Sequence, residues 1–345
     1  ISMSIMIEEI FEQPQVLEQT LKEEMPKAEA LGRRLKERDI DLIVLVARGS
    51  SDNAALFGRY LLEVTTGIPV SLSAPSVFTL YDAKLDLSRA LVVGVSQSGE
   101  GTDINLVLEK AKASGAFTLA VTNEAGSTMA SLADETPLLI RAGRERSVAA
   151  TKTYTGQMLL FYLLAECLGG RQLGIEAIPE LTFKSLETAE TIRGYVERYA
   201  FMEQCVVVGR GLNYGNAYEL ALKLMETCYV VAERFSSADF FHGPLAIVER
   251  RFPVLMFAPE GAVAQGNIDL LERLGELRAD SLSITNSHRI AELSSRAVML
   301  DESIDEFLSP IPFVVPGQLF AAYLSAAKGL DADAPRSLKK VTQTI

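Results

Sequence analysis

VVGVSQSGEGTD, residues Val92 to Asp103, joins an apolar run to a helical pattern through a few residues of turn chemistry. The run Ala90 to Val95 has the composition of a buried strand. Beyond the turn, Ile104, Leu106, Val107, Leu108 and Ala111 fall on the apolar side of a helix. A strand that ends in Ser96-Gln97-Ser98-Gly99 just before a helix is chemically suited to an anion. Free backbone N–H groups and the positive end of the helix dipole face whatever lies there, and glycine lets the backbone come close. An ordinary strand-to-helix turn, with Ser and Asp serving only as caps, is the alternative reading of these residues alone.

Outward from this stretch the same unit recurs. Leu42 to Ala47 is a continuous apolar run ending in Arg48-Gly49-Ser50-Ser51, with a helix expected from about Asn53 to Thr65. Such runs suit strands buried on both faces of a parallel sheet. Further strands are expected at 69–72, 118–122 and 138–140, and a helix at 148–168. Residues 5–38 carry helical spacing, punctuated by Pro14 and Pro26. The alternation of short apolar strands with amphipathic helices indicates an α/β class, a doubly wound parallel sheet flanked by helices.

The second half repeats the first. Val206 to Gly211 answers Val44 to Gly49, and Thr122-Asn123 returns as Thr285-Asn286. Glu63 and Glu226 close equivalent helices, Gln157 and Gln318 sit alike in two late helices, and Phe252 to Ala258 answers Ala90 to Val95. Two tandem copies are expected, at 28–175 and 190–345, with 1–27 as a helical arm. The repeat supplies an internal control. Where the first copy has Ser96-Gln97-Ser98-Gly99, the second has Pro259-Glu260-Gly261. A proline lacks the N–H donor and a carboxylate repels an anion, so the second copy keeps the fold without the chemistry. The hydroxyls of the first copy are therefore read as ligand-binding.

With 345 residues, 48% of them hydrophobic, two packed domains are affordable in apolar surface. A net charge of −12 argues against a nucleic-acid surface, and any phosphate must be held by a local site. No unbroken apolar run for a membrane span and no leader pattern are read, and Cys167, Cys205 and Cys228 form no spaced framework; a cytoplasmic protein with reduced thiols is expected. Only His242 and His288 occur, with no spaced ligand set, so no metal and no cofactor is expected.

Three features of the second half carry further polar chemistry. Glu219, Lys223 and Glu226 share one face of an otherwise apolar helix. They read either as an intrahelical salt-bridge row or as a general base with its supports. His242 stands in Asp239-Phe240-Phe241-His242-Gly243-Pro244, read as a packed, non-helical loop, whereas His288 reads as a surface residue. The tail Pro335 to Thr342 is a solvated basic end or a strap that lays a lysine over a site.

Together these motifs resemble the sugar isomerase (SIS) family, and within it the isomerase half of glucosamine-6-phosphate synthase. The resemblance rests on RGSSDNA at 48–54, SQSGE at 96–100, VAATK at 148–152, ELALKLMET at 219–227, FHGPLAIV at 241–248 and PRSLKKVT at 335–342, all in the family's order. It implies that Ser51, Ser96, Gln97 and Ser98 hold a sugar phosphate, with Ser50 and Val148 near the sugar chain. It implies that Glu226 moves the proton between C1 and C2, supported by Glu219 and Lys223. His242 would assist ring opening across a homodimer interface, and Lys340 would stabilise the open-chain sugar. Three departures stand out: no glutaminase part with its nucleophilic cysteine, Gly101 where the family has threonine, and Phe241 where the synthase has lysine. Lacking that ammonia source, the chain is expected to run the chemistry backwards, converting glucosamine 6-phosphate to fructose 6-phosphate and ammonia. A fructosamine-6-phosphate deglycase, a plain phosphosugar isomerase and a non-catalytic sugar-phosphate sensor are the alternatives.

Overall fold

The computed structural model describes residues 4–338, and the chain divides into two compact units. One comprises residues 15–145 and 152–176; the other comprises 4–14, 146–151 and 177–338. They are called here the first-sheet and second-sheet units.

The first-sheet unit holds five parallel strands: β1 (Leu42–Val46), β2 (Val70–Leu72), β3 (Ala90–Ser96), β4 (Phe117–Thr122) and β5 (Leu138–Leu139). Their spatial order is β2-β1-β3-β4-β5, with Val44 opposite Val92 and Val92 opposite Thr118. One sheet face, with Val44, Val46 and Val92, packs on Ile104, Val107 and Leu108 of the helix Thr102–Ala113. Gly94 admits that helix, since a Cβ there would come within 2.7 Å of Leu108. Full burial of each such aliphatic side chain contributes about 1.5–3 kcal/mol, which is why the continuous apolar runs become central strands. The helices Ser50–Thr66 and Lys152–Gly169 meet where Gly58 lies against the Phe161 ring.

The second-sheet unit repeats the plan with β6 (Gln204–Val208), β7 (Val231–Phe235), β8 (Pro253–Phe257), β9 (Asp280–Thr285) and β10 (Arg296–Met299), in the order β7-β6-β8-β9-β10. Val206 lies opposite Val254, as Val44 lies opposite Val92. The same topology thus recurs, with the two central strands paired alike in both copies. The helix Pro310–Ala327 is long and apolar enough to cross a membrane, contrary to the sequence reading, because Pro316, Gly317 and Gln318 disguise its length. It is a core helix: 83% of it is buried inside the protein, where Gly317 lies against Phe257 and Leu220.

Three local expectations are corrected. Pro26 does not break the N-terminal pattern, and one helix runs from Gln13 to Lys36. The helix expected from Val148 begins at Lys152, because the Glu145 carboxylate caps it, accepting from the Thr153 amide at 3.1 Å and hydroxyl at 2.7 Å. The two phenylalanines before His242 end a short helix, Ser237–Phe241, rather than lying in a loop. Ser236 caps that helix by accepting from the Asp239 amide.

Candidate active site

In a doubly wound sheet the chain reverses direction between two adjacent strands, and ligands bind beyond their carboxyl ends at that switch point. In the first-sheet unit the switch lies between β1 and β3. The first two residues of the helix after β1 are Ser50 and Ser51, and β3 ends in Ser96, followed by Gln97 and Ser98. The fold therefore brings five of the expected phosphate and sugar contacts to one sheet edge. Both helices that begin there have glycine caps, Gly49 and Gly101, with no side-chain bond from the cap residue; on their first turns the Ile104 amide donates to Asp103 and the Asp52 amide to the Gly49 carbonyl.

Local bonds shape this cradle. Ser96 Oγ accepts from the Gly99 amide at 3.1 Å, and Ser98 Oγ from the Glu100 amide at 3.3 Å. Asn105 Nδ2 donates to the Gly99 carbonyl at 3.2 Å, tying the turn to the helix. Gly99 has φ +67°, and a Cβ there would overlap Ser127 Oγ. Ser51 Oγ accepts from Gln157 Nε2 at 2.9 Å, which leaves its own proton to donate elsewhere. The one carboxylate on the turn, Glu100, is held at the next helix, where it accepts from the Thr128 amide at 2.9 Å and hydroxyl at 2.7 Å. Those bonds hold its carboxyl below the usual range. Thr102 is the exposed first residue of the helix.

The equivalent switch point of the second-sheet unit is occupied by the protein itself. Glu306 Oε2 accepts from the Ala262 amide at 2.5 Å, directly after Pro259-Glu260-Gly261, and burial raises the Glu306 carboxyl pKa against the lowering effect of that amide. Asn286 Oδ1 accepts from the Glu260 amide at 2.8 Å. The amide that an external anion would seek already holds a carboxylate.

The second-sheet unit carries the carboxylate row on the helix Tyr214–Cys228. Lys223 Nζ lies 3.3 Å from Glu219 Oε1 and 2.6 Å from Glu226 Oε2. Glu219 and Lys223 are almost fully enclosed, whereas the Glu226 side chain is 21% exposed. Burial disfavours the Lys223 charge, but attraction from Glu219 and Glu226 outweighs it and raises the ammonium above its ordinary range. The row is thus an ion triad with one member reaching solvent.

His242 is exposed, its amide donating to the Asp239 carbonyl, and Gly243 at φ +119° turns the chain into Pro244–Ile247. No hydrogen bond joins His242 to the carboxylate row among the described residues. Val148 belongs to the segment 146–151, whose backbone is held by Glu9: that carboxylate accepts from the Arg146 amide at 2.6 Å and the Ser147 amide at 3.1 Å. Lys340 lies outside the described residues, and His288 is exposed and paired with Glu302 at 2.7 Å. Sequence reading missed Gln157 as the partner of Ser51, although a glutamine inside an apolar helix was its signal.

The SIS domain model matches residues 38–167 and 202–328, one match over each sheet. The chain belongs to the SIS domain family. A glutamine–fructose-6-phosphate aminotransferase (isomerizing) from Gloeobacter violaceus is 36% identical over 353 residues, covering 97% of this chain and 58% of that protein. The chain thus spans a little over half the length of the curated relatives it matches. A solved structure of a candidate phosphosugar isomerase from Silicibacter pomeroyi DSS-3 is 31% identical, with a TM-score of 0.85 over 96% of this chain and 100% of that one. Glucosamine-6-phosphate deaminase from Thermotoga maritima shares the fold, with a TM-score of 0.82 and 23% identity over 99% and 100% of the two chains. The double-SIS architecture accounts for the paired sheets and for the two switch points.

Proposed function

We propose that the chain is a phosphosugar isomerase acting on glucosamine 6-phosphate, with fructose 6-phosphate and ammonia as products. The observation that carries this reading is the Glu219–Lys223–Glu226 row, in which Glu226 alone reaches solvent. The 2.6 Å contact with the Lys223 ammonium fixes this carboxylate in place, as a base that moves one proton between adjacent carbons must be. Ser51, Ser96, Gln97 and Ser98 anchor the phosphate and supply orientation, with Ser50 and Val148 along the sugar. His242 assists ring opening, and Lys340 stabilises charge on the open-chain carbonyl. Glu226 then removes the C2 proton from the open-chain aldehyde and returns it at C1. The C2 imine that results takes up water and releases ammonia. Relatives at about one-third identity are named for fructose 6-phosphate, and a proton relay serving that sugar serves the amino sugar in reverse.

The HGP loop supports a homodimer in which His242 acts in the neighbouring site, since Phe241 and Ile247 stand exposed around it. Phe241 also favours a second reading, because an apolar residue replaces the synthase lysine beside that histidine. A deglycase on fructosamine 6-phosphate, or a plain aldose–ketose isomerase, would share every other feature. Purified protein incubated with glucosamine 6-phosphate should release ammonium, and Glu226→Gln should reduce the rate by at least a hundredfold. Equal ammonium from both proteins would end the proposal, whereas turnover confined to another member of a phosphosugar panel would select the second reading.

A further inference from the structure

We propose that Arg48 is the cation of the phosphate site, a specificity residue held in place by Asp103; the inference rests on the phosphosugar reading above. A sugar phosphate carries up to two negative charges, and the donors gathered at the β1–β3 switch point are neutral hydroxyls and amides. Around them lie Asp52, Glu100 and Asp103, on a chain of net charge −12. In the two loops and first helical turns, 47–53 and 96–105, Arg48 is the single lysine or arginine.

Its placement fits the task. Arg48 Nε donates to Asp103 Oδ2 at 2.7 Å, and Asp103 is itself 2% exposed. Asp103 Oδ1 accepts from the Ile104 amide, which fixes the carboxylate on the first turn of the helix that follows the cradle. The guanidinium is thereby anchored through one nitrogen beside the uncapped Gly101 terminus, while about half of its side chain stays exposed. The remaining N–H fork is the geometry that recognises phosphate oxygens in pairs. Asp52 feels the same charge: burial raises its carboxyl pKa, and Arg48 opposes the rise.

The second copy again serves as a control. Arg210 follows β6 as Arg48 follows β1, but the residue at the place of Asp103, second in its helix, is Gln265. The Arg210 guanidinium lies over Gly266, where a Cβ would come within 2.6 Å of it. The acidic anchor is present only in the copy whose cradle is open.

Isothermal titration with fructose 6-phosphate tests the assignment on the wild-type chain, Arg48→Gln, Arg48→Lys and Asp103→Asn, with thermal unfolding measured alongside. Arg48→Gln should weaken binding about ten- to a hundredfold, and the loss should shrink as salt rises. Arg48→Lys should recover part of it, because a point charge lacks the fork. Asp103→Asn should cost a few fold, since the charge survives without its anchor. Binding by Arg48→Gln within twofold of wild type, or weakening that merely follows a lowered melting temperature, would overturn the role of Arg48 alone. A wild-type chain that binds no fructose 6-phosphate would overturn the functional proposal with it.

Discussion

Lys223→Met is the most informative single perturbation of the fold. In the native protein Lys223 neutralises Glu219, whose side chain is 0% exposed, from 3.3 Å. Removing the ammonium takes the Lys223 counter-ion from that enclosed carboxylate, whereas Glu226, at 21% exposure, retains access to water. Glu219 has one inexpensive escape, which is to take up a proton. At pH 7 the cost of protonating a glutamate of ordinary pKa is about 3.7 kcal/mol, from 1.36 kcal/mol for each of about 2.7 pH units. Loss of a buried partner is expected at about 3–5 kcal/mol, so protonation sets the ceiling. The sign is fixed by linkage: the variant's folded state binds the extra proton, so its stability falls as pH rises above about 4.3. The wild-type share from Lys223 behaves oppositely. Its folded pKa lies above the unfolded value, so that share is fully present below about pH 10.5 and is lost only as pH rises beyond. Urea unfolding at pH 5 and pH 7 should therefore show a deficit of about 1 kcal/mol growing to about 3–4 kcal/mol. The double variant Glu219→Leu, Lys223→Met should recover most of the loss, because no buried charge is stranded. A deficit below 1 kcal/mol at pH 7, or one unaltered by pH, would refute Lys223 as the counter-ion on which the enclosed Glu219 depends.

Gly99→Ala should destabilise the first-sheet unit by about 1–2 kcal/mol through its left-handed φ of +67° and its overlap with Ser127, read by thermal unfolding, and should weaken sugar-phosphate binding more than tenfold. Burial pushes the thiols of Cys167 and Cys228 up to about 11 and that of Cys205 up to about 12, so all three should react slowly with a disulfide reagent at pH 8 and promptly once the chain is unfolded in urea.

The sheets were legible because their strands are buried on both faces and so read as unbroken apolar runs, Leu42–Val46 and Ala90–Val95 among them. The repeat was legible for the same reason, since each copy must rebuild the same core. Polar contacts between residues distant in sequence were not. Nothing near Arg146 announces that Glu9 holds its amide, and that bond accompanies the grouping of 146–151 with the second-sheet unit. Pro26 looked like a helix stop, yet Gln13–Lys36 runs through it, because the flanking apolar face is buried and outweighs one lost hydrogen bond. Among the candidate functional residues, the hydroxyls and the carboxylate row stood out as departures from apolar patterning. Arg48 did not, because its meaning depends on Asp103, 55 residues on.

The Glu306 carboxylate on the Ala262 amide has a consequence for how a duplicated domain ages. On the proposed reading, a sugar phosphate bound in the first copy's cradle stabilises that unit by mass action. The second copy carries a covalently tethered surrogate and depends on no small molecule to quiet its exposed amides. Giving that copy an anion site would require displacing Glu306 and supplying the missing donors together, a combination that single substitutions do not reach. The difference between the two loops is, in this respect, a one-way door.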